Sequence, residues 1–116
     1  MKQIQNHLVG VEQGSHIVFS DYESDGKMWV GEGLRIRRRA VRFSESYRSA
    51  PAVHLTMSMW DMGAETIQRA DISAANIDEN GFLIVFRTWG DTRVARVRAD
   101  WLAIGELKHE DEWQLY

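Results

Sequence analysis

Seven consecutive residues, Arg87-Thr88-Trp89-Gly90-Asp91-Thr92-Arg93, gather an indole, a glycine, a carboxylate, two hydroxyls and two guanidinia. An indole offers a flat apolar face to C–H groups, while Arg and Asp exchange paired hydrogen bonds with neighbouring hydroxyls. A polyhydroxylated ring with one apolar face, a sugar, suits such a set. A polar turn whose indole sits in the core accounts for the same residues. Trp60-Asp61-Met62 is a similar mixture, with Trp60 of opposite parity to the apolar face of its segment and Asp61 fitting a turn.

Other chemistries find less support. His7, His16, His54 and His109 show no paired-ligand spacing, and with no Cys the chain offers neither a thiolate metal site nor a disulfide, so no metal or cofactor is expected. GxSxG, Walker A and GxGxxG are absent, and Gly31-Glu32-Gly33 lacks the flanking strand and helix of a phosphate cradle, so its glycines read as loop residues. No cleft of paired titrating groups can be assembled, and no enzyme is expected. Arg35-Ile36-Arg37-Arg38-Arg39 is the one basic run. Without aromatic stacking partners or net positive charge it does not read as a nucleic-acid site. Alternation sends Arg35, Arg37 and Arg39 to one side of a strand and Arg38 to the other, predicting a solvated face or a subunit contact.

The elements that must position these residues are strands. Val53, Leu55, Met57 and Met59 alternate with His54, Thr56, Ser58 and Trp60, a period of two. Phe82 to Trp89 is a nearly continuous apolar run between Asn80-Gly81 and Gly90-Asp91, which predicts a central strand covered on both faces. Ala95, Val97, Ala99, Trp101 and Ala103 share one parity against Arg96, Arg98 and Asp100, predicting a further strand with Trp101 on the inner face. Gly90-Asp91-Thr92 between these two has turn chemistry and is expected to close a hairpin. Leu34 to Phe43 reads as a strand with a bulge or bend where its inward parity shifts between Ile36 and Val41, and shorter strands fit Ile17 to Ser20 and Gln68 to Ile77. Roughly six strands without a convincing amphipathic helix predict an all-β, antiparallel sandwich.

At 116 residues the chain suits one domain, divided as an extension over 1–10, a sandwich over 11–106 and an acidic tail over 107–116 that includes Trp113. Eleven of the 14 basic residues are Arg, all between Arg35 and Arg98, and the net charge is −3, which argues against general affinity for nucleic acid. No run of 18 apolar residues occurs, so membrane insertion is not expected. The first ten residues lack the apolar run of a secretory signal, so cytoplasmic synthesis is expected, followed by release or by association with a particle.

In order along the chain stand Pro51-Ala52-Val53, Trp60-Asp61, Arg69, Asn80-Gly81-Phe82, Thr88-Trp89, Asp91-Thr92 and Trp101-Leu102-Ala103-Ile104-Gly105. With these spacings, almost without gaps from about Val11 to Gly105, the sequence resembles the H-type lectin domain family of snail agglutinins, a slime-mould discoidin and many bacterial proteins. The resemblance implies a six-stranded antiparallel β-sandwich without enzymatic activity. It also implies trimers, with sugar sites near protomer boundaries that favour galactose or N-acetylgalactosamine in the animal members. The family's sugar-contacting Arg falls on Arg69, its aromatic on Trp89 and its ring-contacting carboxylate on Glu32. Gly31, Gly90, Asp91 and Thr92 would shape the rim. Where the snail lectins have His after the aromatic this chain has Gly90, and where they have Tyr six residues after it stands Ala95, which implies a more open pocket. Their half-disulfide three residues before the Trp is Phe86 here.

The expected function is therefore a lectin, a homotrimer or hexamer whose several sites recognise cell-surface glycans. Its target would be a galactose-like or N-acetylgalactosamine-like sugar or a bacterial polysaccharide. The alternative is a structural or assembly module of an adhesin or phage-like particle that has lost sugar binding.

Overall fold

The period-two segments form six strands, seen in a computed structural model that describes residues 1–5, 7–22 and 24–108. They are β1 (Val9–Ser20), β2 (Arg35–Arg42), β3 (Ala52–Met62), β4 (Asp71–Ala75), β5 (Gly81–Thr88) and β6 (Val94–Glu106), with one short helix, α1 (Lys27–Val30), between β1 and β2. Two three-stranded antiparallel sheets face each other, ordered β1-β6-β3 and β2-β5-β4. The chain is thus an all-β sandwich of six strands, as its alternation requires.

β6 is central in its sheet, and its alternation puts Val97, Ala99, Trp101 and Ala103 in the core against exposed Arg96, Arg98, Leu102 and Ile104. Small residues around Trp101 leave room for one large ring, which packs on Phe43 and Phe82 with centroids 5.8 and 5.5 Å away. Gly14 of β1 has no side chain for a reason: a Cβ there would lie 2.6 Å from the Trp101 indole nitrogen. A second core of Phe19, Met28, Phe86, Val94 and Val97 underlies the other end of the sandwich. Phe86, free of any disulfide, meets Phe19 there at 5.3 Å.

Four local expectations are corrected. The segment 89–93 does not close a hairpin: β5 and β6 lie in different sheets, so Gly90-Asp91-Thr92 carries the chain across the sandwich. β2 has no bulge, since it pairs with β5 without a register shift from Arg35 to Arg42. Its inward positions are Arg35, Arg37, Arg39 and Val41, so charged residues on the inner parity mimic a change of face. Arg35 keeps only 5% of its surface exposed, Arg37 pairs with Asp21 at 2.8 Å, and Arg39 Nη1 donates to the Ile17 carbonyl at 2.8 Å. Arg37 and Arg39 lace the open edge between β1 and β2, and within the run Arg38 and Arg39 are the exposed residues, on opposite sides of the strand. In β3, a bulge between Met57 and Met59 returns Trp60 to the inward parity opposite Val97, although its position near the strand end leaves it 52% exposed.

The two short strands also differ in extent. Pairing with β6, interrupted by one register shift between Ile17 and Phe19, makes β1 twelve residues long from Val9, and β4 is confined to Asp71–Ala75. Leu107 still bridges Tyr47, whereas residues 109–116, with His109 and Trp113, lie outside the described residues.

Candidate functional site

Antiparallel pairing puts the ends of β1, β3 and β5 beside the starts of β2, β4 and β6. The connections 21–34, 63–70 and 89–93 therefore meet at one end of the sandwich. Tyr22, Val30, Leu34, Ile67 and Trp89 of these connections are all exposed, with Trp60 just before them. Large apolar side chains facing water at one loop cluster are what a binding surface requires.

Two buried threonines fix this end. Thr88 Oγ1 donates to the Arg69 carbonyl at 2.6 Å, and Thr92 Oγ1 donates to the Ile67 carbonyl at 2.5 Å. Arg69 is thereby held against the 89–93 crossing. Its Nη1 donates to Asp91 Oδ1 at 2.7 Å, to Thr92 Oγ1 at 3.2 Å and, more weakly, to the Ile67 carbonyl at 3.4 Å. The hydrogen bond from Arg69 holds the Asp91 carboxyl below the usual carboxylate range. Gly90, at φ 69°, lies beneath the guanidinium, since a Cβ there would sit 3.0 Å from Arg69 Nη1. Trp89, next to Gly90 in the chain, is 44% exposed.

The Gly31-Glu32-Gly33 loop joins through Gly90. The Gly90 carbonyl accepts from Gly33 N at 2.9 Å and from Arg35 Nη2 at 3.1 Å. Arg35 also donates through Nε to the Gly33 carbonyl and through Nη1 to the Met28 and Lys27 carbonyls, at 3.0, 3.1 and 3.4 Å. Burial pushes its pKa down, and the nearby charge of Glu32 acts in the opposite direction. Gly31 is sterically required, because a Cβ would lie 2.3 Å from the Lys27 carbonyl oxygen.

The sequence-derived set thus divides into contact groups and supports. Arg69, Gly90, Asp91 and Thr92 touch one another; Gly31 and Glu32 are tied in by Gly33 and Arg35; Trp89 adjoins Gly90 with its indole in solvent. Thr92, expected at the rim, is fully buried and works as a pin. Ala95 is also buried, its carbonyl accepting from the backbone of Asp21 and Tyr22 at 2.7 and 3.3 Å. Sequence reasoning missed Arg35 as the clamp joining two loops. Its clue was the parity shared with Val41 and Phe43. It also missed Tyr22 and Trp29, whose rings meet at 5.1 Å. No group of three potential metal ligands occurs among the described residues.

Comparison with known proteins gives three findings. The family described as H-type lectin domain matches residues 38–104. A protein of Fuscovulum blasticum called ATP synthase subunits region ORF 7 is 54% identical over 107 residues, 92% of this chain and 93% of that one. Among solved structures, the fold is similar to that of recombinant discoidin II of Dictyostelium discoideum, with TM-score 0.72 and 24% identity over 94% of this chain. Wild-type discoidin II gives TM-score 0.73 and 24% identity over 91% of it. This chain spans 40% and 39% of the length of those two solved chains, respectively.

Proposed function

The chain belongs to the H-type lectin domain family, a carbohydrate-binding kind of protein, and from that membership we propose that it recognises glycans through the Arg69–Trp89 site, multiplied by self-association. The observation that carries the reading is the disposition of Arg69. Asp91, Thr92 and the Ile67 carbonyl all engage Nη1, while Nη2 has no hydrogen-bond partner among the described residues. A guanidinium locked on one side and open on the other is preorganised to donate to ring hydroxyls. Trp89 supplies the apolar contact, and Glu32, one residue before the loop amide that grips Gly90, supplies an acceptor. With Gly90 and Ala95 adding no side-chain wall, the site suits the non-reducing end of a polymer as well as a free galactose-like sugar.

A lone shallow site of this kind binds near ~1 mM, about 4 kcal/mol, and linked sites raise avidity without new contacts. The outer face of the β1-β6-β3 sheet is the surface for a second and third copy. Its charges are already satisfied within one chain: Asp100 Oδ1 accepts from Ser15 at 2.6 Å and Ser58 at 2.9 Å, and Arg96 approaches Asp61 at 3.5 Å. Contact between copies then rests on the exposed Val11, Ile17, Leu102 and Ile104.

A glycan array followed by titration of one bound glycan tests the reading, with light scattering for the trimer. Arg69→Ala and Trp89→Ala should each remove about 1–2 kcal/mol, roughly a 5- to 30-fold loss per site, with oligomeric mass and melting temperature retained. Both variants binding as wild type does would show the site to be wrong. An oligomer silent against animal and bacterial glycans would favour an assembly role.

A further inference from the structure

Beside the Arg69 site lies a second group of rings that it does not use. Met28 is fully buried in the second core, and this anchors α1 so that Trp29 and Val30 face outward. Asp21 fixes the loop before it, accepting through Oδ2 from Met28 N at 3.1 Å and from Arg37, while its carbonyl accepts from Gly26 N at 2.9 Å. Tyr22, next in sequence and 59% exposed, meets Trp29 nearly perpendicularly, at 76°. Arg93 closes the group. Its guanidinium lies over the Trp29 ring at 4.9 Å, its Nε donates to the Trp29 carbonyl at 3.1 Å, and its own carbonyl accepts from Gly63 N at 2.8 Å.

These contacts hold an exposed Tyr22, a half-buried Trp29 and a cation rigidly where no ion pair requires it. Among the described residues Arg93 has no carboxylate partner, and its two Nη groups donate to nothing. We propose that Tyr22, Trp29 and Arg93 form a second sugar-binding platform contiguous with the Arg69–Trp89 site, so that the ligand is an oligosaccharide of at least two rings. The proposal rests on the sugar-binding reading of that first site. Arg93 follows Gly90 by three residues, which places their Cα atoms within roughly 11 Å. A ring linked to a sugar held at Trp89 therefore reaches the platform. Its apolar face lies on Tyr22, and the free Nη groups donate to its hydroxyls. Rigid aromatic and Arg side chains lose little conformational freedom on binding, which suits a platform that adds affinity to a weak first contact.

The test is calorimetric titration of galactose, N-acetylgalactosamine, and di- to tetrasaccharides ending in either sugar against the wild type, Tyr22→Ala, Arg93→Gln and Arg69→Ala. For the wild type, affinity should rise at least tenfold from one ring to three. In Tyr22→Ala that gain should fall below threefold, and in Arg93→Gln it should shrink severalfold. Arg69→Ala should lose binding at every length. Affinity independent of length in the wild type, or a full gain retained by Tyr22→Ala, overturns the platform while leaving the first site standing. A change in oligomeric mass in Tyr22→Ala with the gain intact would make the cluster a subunit contact and also overturn it. If Arg69→Ala binds normally, or no probe binds the wild type, the sugar-binding reading itself fails and the platform with it.

Discussion

Replacing Arg35 by Met keeps an unbranched stem in the core and deletes the guanidinium that joins α1, the Gly31–Gly33 loop and the 89–93 crossing. Four carbonyls lose a donor, but unequally. Lys27 O still accepts from Gly31 N at 2.8 Å and Gly90 O from Gly33 N at 2.9 Å, while exposed Gly33 turns to water. The Met28 carbonyl, bonded to Arg35 inside the protein at 3.1 Å, is left buried without that donor. An unmet buried acceptor costs about 1–3 kcal/mol, and the three partly replaced bonds add about 1 kcal/mol more. Release of a buried cation from its desolvation offsets part of this, so the net loss is about 2–3 kcal/mol. At this chain length that corresponds to a fall in Tm of roughly 10 °C.

Arg35→Lys should lie between, since a single ammonium cannot reach carbonyls on three segments. Thermal and urea denaturation at one fixed protein concentration measure both variants, because self-association would otherwise shift the midpoint. Glycan titration at a temperature where each variant is folded reads the second consequence, a weaker site from a loosened Glu32 loop. An Arg35→Met midpoint within about 2 °C of wild type would refute the clamp.

Trp101→Ala should cost about 3–5 kcal/mol and unfold or dissociate the protein, because the cavity it leaves is bounded by the rigid rings of Phe43 and Phe82; a melting curve checks it, and an unchanged midpoint would contradict the core assignment. His16 stacks on Trp101 at 6.4 Å, and burial, then the Arg39 charge, push its pKa below the ordinary 6.5. A depressed folded pKa means stability that is complete above 6.5 and lost as pH falls from there through the folded value. The Tm of wild type should therefore drop more between pH 7.5 and 5 than that of His16→Gln, and equal drops would remove His16 from the account.

The sequence by itself determined the fold class, because strand alternation is a local property that survives without knowledge of neighbours. Ala95, Val97, Ala99, Trp101 and Ala103 read as an inner face and are one. The spacing of Arg69, Trp89 and Asp91-Thr92 likewise carried the family, which the match over residues 38–104 shows independently. Those residues fall at one end of the molecule because all sit in or beside connections that antiparallel pairing gathers together.

Tertiary structure decided which sheet each strand joined and what each charge meets. Turn chemistry at Gly90-Asp91-Thr92 specifies a reversal but not its partner, so a crossing between sheets has the same signature as a hairpin. Arg35 on an inner parity reads as a broken pattern until backbone carbonyls from three segments surround it. Such carbonyls carry no residue-type signal. The bulge at Met57/Met59 turns Trp60 over for a similar reason, since an extra residue in one strand is visible only against its partner. Arg93 is far along the chain from Tyr22 and Trp29, and all three are ordinary one by one; their common location follows from Met28 filling a core cavity and pulling the loop around it. Local patterning fixed the elements, whereas the long-range packing that closes the sandwich chose the partners of its polar and aromatic groups.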